Sequence, residues 1–272
     1  MASRHRITVA VAGAGGKMGS EALRALAADD RFDTVAVLVR DAGQAQASGQ
    51  YTCPVYDDPE RLLMEAHPDV WLDFTDARSV VHHVDRCIAF GVSPVVGATG
   101  YTPEDVARWN EACLRQGIGG IAAPNFAIGA LLMMRFAAEA ARFFTRAEII
   151  EMHHDGKKDA PSGTARRTAE QMAAHREDAA GDPAAHRVSA AGITVTDAAP
   201  ARGWSYQGVP IHSVRLPGLV AHQEVIFGGA GEVLTIRHDS LSRTSFMPGA
   251  LLACARVREV RGMVYGLEHL LW

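Results

Sequence analysis

Along the first thirty residues the spacing of apolar positions changes once. Residues 7–11 form a short, mostly β-branched run that ends in Ala12-Gly13, the pattern of a buried strand entering a tight turn. From Lys17 onward, Met18, Ala22, Leu23, Ala25 and Leu26 make a stripe at helical spacing. Residues 34–39 predict a second strand, continuously apolar as in parallel sheets covered on both faces. Residues 70–74, 94–96 and 119–122 predict further short strands, with a helix over 79–90 between the first two. Another helix begins at Thr102 and runs to about Gln116, with Thr102 as N-cap, Pro103 in the first helical position and Asp105 three residues past the cap. Strands alternating with helices predict right-handed β-α-β units and a parallel sheet.

The pattern changes at Pro124-Asn125. Residues 127–144 predict a long apolar helix, 147–152 a strand running into a polar loop, and 163–175 a helix. Residues 181–200 are loop-rich, with a short strand at 193–196. Strand-like segments at 211–215, 223–227 and 233–237 follow without helices between them, which predicts a second, more antiparallel sheet. Residues 247–260 return to helix. At roughly 150 residues per domain, 272 residues correspond to two domains.

Composition narrows the classes. Hydrophobic residues make up 48% and charged residues 21%, as in an ordinary globular protein. A formal net charge of -4 offers no global attraction to nucleic acid or anionic membrane. Cys53, Cys87, Cys113 and Cys254 show no C-x-x-C spacing, and three lie in predicted helices, so reduced thiols are expected rather than disulfides or zinc ligands. No stretch approaches the ~18 apolar residues that span a bilayer. The apolar run after Arg4 and Arg6 is too short for a signal-peptide core, so the expected location is the cytoplasm.

Two segments carry the candidate chemistry. The first is Gly13-Ala14-Gly15-Gly16-Lys17-Met18-Gly19, between strand and helix. Glycine permits the sharp turn and close approach of a pyrophosphate, and the helix start supplies N–H groups and partial positive charge. Met18 stands at the third position of G-x-G-x-x-G; the spacing that fits is G-x-x-G-x-x-G. A turn that only packs helix on strand would look similar, but its place in the first β-α unit favours dinucleotide binding. At the end of the second strand, Val39 stands where NAD-binding folds carry an acid, and Arg40 follows, which leans towards NADPH. In the other reading Arg40 is a solvated residue and Asp41 takes the acid's role. Gly97, Ala98 and Thr99 follow a strand, and Ala123, Pro124, Asn125 and Phe126 sit at the proposed domain junction; both segments are candidate cofactor linings, or else a plain turn and a hinge.

The second segment is Glu151-Met152-His153-His154-Asp155-Gly156-Lys157-Lys158-Asp159-Ala160-Pro161-Ser162-Gly163-Thr164. Histidine exchanges protons near neutral pH, and a lysine ammonium binds carboxylate or donates a proton. Ser162 is the expected N-cap of the next helix, where the N–H groups of Gly163 and Thr164 would cradle an anion. Each residue alone reads as strand end or solvated charge; together they read as a carboxylate cradle beside an acid–base pair. Adjacent histidines point opposite ways on a strand, so no metal site is expected. His82-His83 reads as helix surface.

Taken together, these motifs resemble the 4-hydroxy-tetrahydrodipicolinate reductase (dihydrodipicolinate reductase) family of lysine and diaminopimelate synthesis. The resemblance spans nearly the whole chain: GAGGKMG at 13–19, DFT at 73–75, GATG at 97–100, APNFAIG at 123–129, EMHHDGKKDAPSGTA at 151–165 and IHSVRLPGLVAHQEVIFGG at 211–229. It implies a Rossmann-like doubly wound parallel sheet over 1–124 completed by 243–272. A second α+β domain over 125–242, with a mixed, largely antiparallel sheet, would hold substrate and subunit contacts in a homotetramer. It implies NADPH and/or NADH as cofactor, held by Gly13, Ala14, Gly15, Gly16, Lys17, Met18, Arg40, Gly97, Ala98, Thr99, Ala123, Pro124, Asn125 and Phe126. It makes His153 and Lys157 the proton donors, and His154, Gly163 and Thr164 the ligands of a small cyclic dicarboxylate. Val39 departs from the acid common in the family, and GATG replaces the commoner GTTG. Two rivals remain at this point: a small-acid dehydrogenase acting on aspartate or its semialdehyde, and a non-catalytic NADPH-binding sensor.

Overall fold

A computed structural model describes residues 6–180 and 200–272 and separates two units, Met1–Phe126 with Phe246–Trp272, and Ala127–Ser245. The expected breaks were at 124 and 242. The strand expected at 193–196 lies outside the described residues.

The first unit is a seven-stranded, wholly parallel sheet. Its strands are β1 (Ile7–Ala12), β2 (Phe32–Leu38), β3 (Val55–Tyr56), β4 (Val70–Asp73), β5 (Ser93–Val96), β6 (Gly119–Ala122) and β12 (Gly262–Tyr265), in the order β12-β6-β5-β4-β1-β2-β3. Every residue of β4, β5 and β6 is buried, which is why these runs are apolar without alternation. The helices are α1 (Lys17–Ala27), α2 (Ala42–Ala47), α3 (Pro59–Ala66), α4 (Val80–Ala89), α5 (Pro103–Gln116) and α8 (Met247–Arg256). The chain winds outward from β1 in both directions, so right-handed crossovers place α1 opposite α3, α4 and α5. Leu62, Leu63 and Cys87 pack on Ala10, Ala12, Ala36 and Trp71, while Trp109 and Cys113 pack on Val96 and Ala122. The winding reverses between β1 and β4, and ligands of such sheets bind beyond the carboxyl ends of the strands at that point.

Thr102 caps α5 as expected: its hydroxyl accepts the Asp105 N–H, and the Asp105 carboxylate accepts the Thr102 N–H. Strand β12 was not expected. Its few apolar residues carry no pattern of their own, and pairing with β6 makes them a strand. The helix expected to reach 260 stops at Arg256 and passes into a 3₁₀ turn, Val257–Glu259. All four cysteines are free. Burial raises the thiol of Cys113 to about 11 and that of Cys254 to about 12, so both stay protonated at neutral pH.

The expectation that the His82-His83 pair lies on the helix surface also fails. His82 is exposed, but His83 is buried, and its Nδ1 lies 3.0 Å from the Asp73 carboxylate. Asp73 is fully buried at the end of β4. Trp71 Nε1–H donates to Oδ2 at 3.0 Å, and the Thr75 N–H and hydroxyl donate to Oδ1 at 2.9 and 2.5 Å. A buried acceptor needs donors, and α4 supplies one from the face that otherwise packs Val80, Val84 and Cys87. The apolar period of α4 places His83 on the inner face; its neighbour His82 masks that signal.

The second unit is a five-stranded mixed sheet in the order β11-β10-β7-β9-β8, from β7 (Arg146–His153), β8 (Trp204–Tyr206), β9 (Val209–Arg215), β10 (Ala221–Gly229) and β11 (Glu232–Ser240). Only β7 and β9 pair in parallel. Helices α6 (Ile128–Ala140) and α7 (Gly163–Ala180) pack on one face. That face begins apolar, with Ala147, Ile149, Ile211, Val225 and Phe227 buried. Each fully buried large side chain there contributes on the order of 2 kcal/mol.

Removing the buried acceptor of the first unit strands its donors. Asp73→Ala is expected to lose about 3 kcal/mol or more in urea unfolding. A loss below about 1 kcal/mol in that measurement is incompatible with the role given to Asp73.

Candidate active site

Five strand ends line up along the carboxyl edge of the first sheet. In sheet order they lead into Ala123, Gly97, Phe74, Gly13 and, just past β2, Arg40. The residues expected to hold a dinucleotide in this unit therefore share one edge. The glycine turn shows how they divide. Gly13 has φ +77, and a Cβ there would lie 2.6 Å from the Phe74 carbonyl oxygen. A Cβ on Gly19 would lie 2.2 Å from the Gly13 carbonyl oxygen. These two glycines let the turn pack. Gly15 differs: only the Tyr51 hydroxyl, at 3.7 Å, comes near its Cβ position. Gly15, Gly16 and Lys17 are exposed, Met18 is half-buried and Ala14 is buried.

Helix α1 begins at Gly16 with no side chain capping it and no acid in its first turn. Its N–H groups and positive dipole end are thus offered at an open glycine. That arrangement fits the pyrophosphate of a dinucleotide. Arg40 is exposed, and one Asp41 oxygen accepts the Gln44 N–H at 2.9 Å to cap α2. Gly97 leaves room for an aromatic pair: a Cβ there would meet the Phe74 ring at 2.3 Å and the Phe126 ring at 2.8 Å. Those rings meet edge-on, with centroids 5.9 Å apart. Ala98 and Ala123 are buried, whereas Thr99 and Pro124 are exposed and Asn125 is half-buried.

In the second unit the helix-covered face turns polar toward the end of β7. Alternation puts Ala147, Ile149, Glu151 and His153 on that face, and the register sets Ser213 and Gln223 beside Glu151 and Arg215 beside His153. Glu151 is fully buried. Arg215 grips it with both terminal nitrogens, at 2.8 and 2.7 Å. His153 Nδ1 lies 2.5 Å from Oε2, and the Ser162 N–H donates to Oε1 at 3.1 Å. Burial raises the Glu151 carboxyl's pKa, but hydrogen bonds from His153, Arg215 and Ser213 outweigh it and bring the group down to about 2. The carboxylate is therefore ionised at every working pH.

The loop after β7 is tied to the same centre. Arg215 also donates to the Asp159 carbonyl at 2.6 Å. Lys157 Nζ lies 2.7 Å from the Asp159 carboxylate, and the Lys157 N–H donates to the His154 carbonyl at 3.1 Å. Ser162 caps α7 as expected, its hydroxyl accepting the Ala165 N–H at 3.2 Å. Gly163 is exposed, with open space around its Cβ position, so an anion could approach the helix start there. His153, His154, Lys157, Gly163 and Thr164 thus lie on one strand end, its loop and the following helix start. Sequence spacing assigns no role to Glu151 or Arg215. An acid two residues before His153, on the buried face of an apolar strand, is the signal for Glu151; Arg215 lies 64 residues from Glu151 and has none. No cluster of three metal-ligating side chains occurs among the described residues.

The two kinds of glycine separate by experiment. Gly19→Ala is expected to lower stability by about 1–3 kcal/mol, because backbone must move. Gly15→Ala should leave the melting temperature unchanged and weaken dinucleotide binding about tenfold or more in a calorimetric titration. Equal affinity in Gly15→Ala and wild type defeats the reading of that turn.

Comparison with known proteins agrees with this geometry. Residues 7–126 match the family model "Dihydrodipicolinate reductase, N-terminus" and residues 129–271 match "Dihydrodipicolinate reductase, C-terminus". The chain is 46% identical over 270 residues to the 4-hydroxy-tetrahydrodipicolinate reductase of Geobacillus kaustophilus, covering 97% of this chain and 99% of that one. It is 48% identical over 266 residues to the enzyme of that name from Streptococcus pneumoniae, again covering 97% and 99%. Among solved structures it resembles a dipicolinate-bound dihydrodipicolinate reductase from Paenisporosarcina sp. TG-14, with a TM-score of 0.81, 43% identity and coverage of 97% and 99%. With both halves matched and both sheets in place, the chain belongs to the dihydrodipicolinate reductase family.

Proposed function

We propose that the protein reduces 4-hydroxy-tetrahydrodipicolinate to tetrahydrodipicolinate with loss of water, using NAD(P)H, in lysine and diaminopimelate synthesis. The observation that carries this is the His153 imidazole, held by a buried carboxylate at a strand end whose loop supplies Lys157 and leads to an open helix start at Gly163. In the balanced reaction the substrate loses its hydroxyl and a hydrogen from the adjacent ring carbon as water, and the ring then gains one hydride and one proton. NAD(P)H supplies the hydride. The protein's own residues bind, orient and handle the proton. The backbone at Gly15, Lys17 and Met18, at the open start of α1, would hold the pyrophosphate, with Gly13, Ala14 and Gly16 shaping the turn beneath it, and Gly97, Ala98, Thr99, Ala123, Pro124, Asn125 and Phe126 would line the rest of the cofactor's edge.

The two substrate carboxylates go to the N–H groups of Gly163 and Thr164 at the α7 start, with His154 beside them. Charge and geometry there fix the ring, and positioning of this kind supplies much of the acceleration. His153 Nε2 and the Lys157 ammonium exchange the proton. The carboxylate of Asp159 keeps that ammonium on the loop. A dicarboxylate ligand in the Paenisporosarcina relative supports the substrate class.

Arg40, exposed just beyond β2, would meet the 2′-phosphate of NADPH. Assembly is assigned to the second unit, as a homotetramer. α6 and α7 cover one face of its sheet, and on β11 Val233 is 70% exposed. None of the described helices is long and apolar enough to cross a membrane, and we place the enzyme in the cytoplasm.

Mixing pyruvate, aspartate semialdehyde and the upstream synthase with this protein should oxidise NADPH above the synthase-only control; no excess oxidation defeats the assignment. In that assay His153→Ala and Lys157→Ala should each lower kcat by roughly 10²-fold or more, with the fold retained. If both variants keep near wild-type turnover, the chemistry lies elsewhere. Arg40→Ala should raise the KM for NADPH roughly tenfold and that for NADH less than about twofold. Equal effects on both cofactors remove the 2′-phosphate role.

A further inference from the structure

The histidine is not held by the loop that follows it. It is held from beneath, by a residue of its own strand. From this arrangement we infer that Glu151, clamped by Arg215, is the positioning residue of the reaction, setting the His153 tautomer and tying the lysine loop and the carboxylate cradle to one buried point. The inference deepens the reductase reading and rests on it for the identity of the reaction.

Hydrogen-bond capacity fixes the tautomer. An ionised carboxylate only accepts. Glu151 Oε2 lies 2.5 Å from His153 Nδ1, so Nδ1 carries the hydrogen and donates it. Nε2 is then the ring atom left to take up and release a proton. Without Glu151 the neutral ring would divide between two tautomers, one of which presents the wrong nitrogen. The same contact fixes the plane of the ring and so the direction in which Nε2 points.

The other contacts spread this control. Oε1 accepts the Ser162 N–H at 3.1 Å, at the start of the helix whose next residues cradle the anion. Arg215 pairs both Glu151 oxygens and reaches the Asp159 carbonyl at 2.6 Å, and Asp159 in turn holds the Lys157 ammonium at 2.7 Å. Proton exchange, substrate carboxylate and loop cation thus share one scaffold atom set. A carboxylate retained only for stability would be easy to replace, because a buried ion pair is often no better than apolar packing. Here the acid commits its acceptor capacity to the histidine and the cradle, besides its counter-ion.

The test compares Glu151→Gln and Glu151→Asp with wild type. Glutamine keeps the shape and loses the charge; aspartate keeps the charge one methylene short. Glu151→Gln is expected to lose roughly 10²-fold in kcat while the Kd for NADPH stays within about twofold, and to shift the acid limb of the kcat–pH profile. Glu151→Asp should recover part of kcat and return the limb towards its wild-type position. On ligand-free protein with ¹⁵N-labelled histidine rings, wild-type His153 should show the Nδ1–H tautomer, and Glu151→Gln should show a mixture. The inference is overturned if kcat and the pH profile of Glu151→Gln match wild type. A drop matched by the folded fraction alone, with an unmoved pH limb, overturns it equally. Should neither variant fold, the wild-type ring spectrum still decides: a dominant Nε2–H tautomer at His153 refutes the proposal. If the wild-type protein fails to turn over the proposed substrate, the reaction falls instead, and the ring spectrum tests the role of Glu151 on its own.

Discussion

A carboxylate cannot be taken out of water without replacing the water's hydrogen bonds, and the second unit is organised around one such replacement. The effective penalty for burying an ion is several kcal/mol, even after relaxation. Glu151 meets it with the Arg215 fork, the His153 ring and the Ser162 N–H. His153 is itself a candidate site residue, Ser162 stands one residue before Gly163, and Arg215 lies beside His153 in the strand register. The requirement to satisfy a buried charge and the requirement to aim a proton-exchanging imidazole are therefore met by the same contacts. The loop between β7 and α7 inherits its geometry from this centre, through the Arg215 contact to the Asp159 carbonyl.

The first unit uses the same device independently. Asp73 ends β4 beside the reversal of the sheet, fully buried, and its oxygens take donors from Trp71, Thr75 and His83. Its backbone carbonyl also accepts the N–H groups of Gly97 and Ala98, at 2.8 and 3.1 Å. The turn after β4 and the turn after β5 are thereby fixed to one residue. In both units a carboxylate at the carboxyl end of a strand converts a flexible exit into a defined one. Each such carboxylate demands partners from distant elements, α4 in one case and β9 in the other.

That demand explains what could be read from the chain. The alternation of strands and helices that predicts the parallel sheet, the α5 cap at Thr102 and the cap of α7 at Ser162 are each marked by residues within a short stretch of chain, and spacing reveals them. The family resemblance rests on contiguous motifs for the same reason. β12 depends on pairing with β6, nearly 150 residues away along the chain, and its own sequence says little. Arg215 depends on the register of β9 against β7. His83 lies within reach of the helical period of α4, since Val80, Val84 and Cys87 mark that face. Taking the His82-His83 pair as a unit, rather than as two faces of a helix, hides it.

The glycine turn shows why a motif match mixes different physics. Gly13 and Gly19 are required by packing: one by a left-handed backbone against the Phe74 carbonyl, the other by contact with Gly13 itself. Any protein with this turn needs them, whether or not it binds a ligand. Gly15 meets no such constraint, and it stands at the open, uncapped start of α1. The lack of a side chain there has no internal explanation and calls for an external one, the close approach of an anion. Met18 at the third glycine position of the usual fingerprint costs nothing, because Gly19 already meets the packing need one residue later. The spacing that counts is set by where backbone touches backbone.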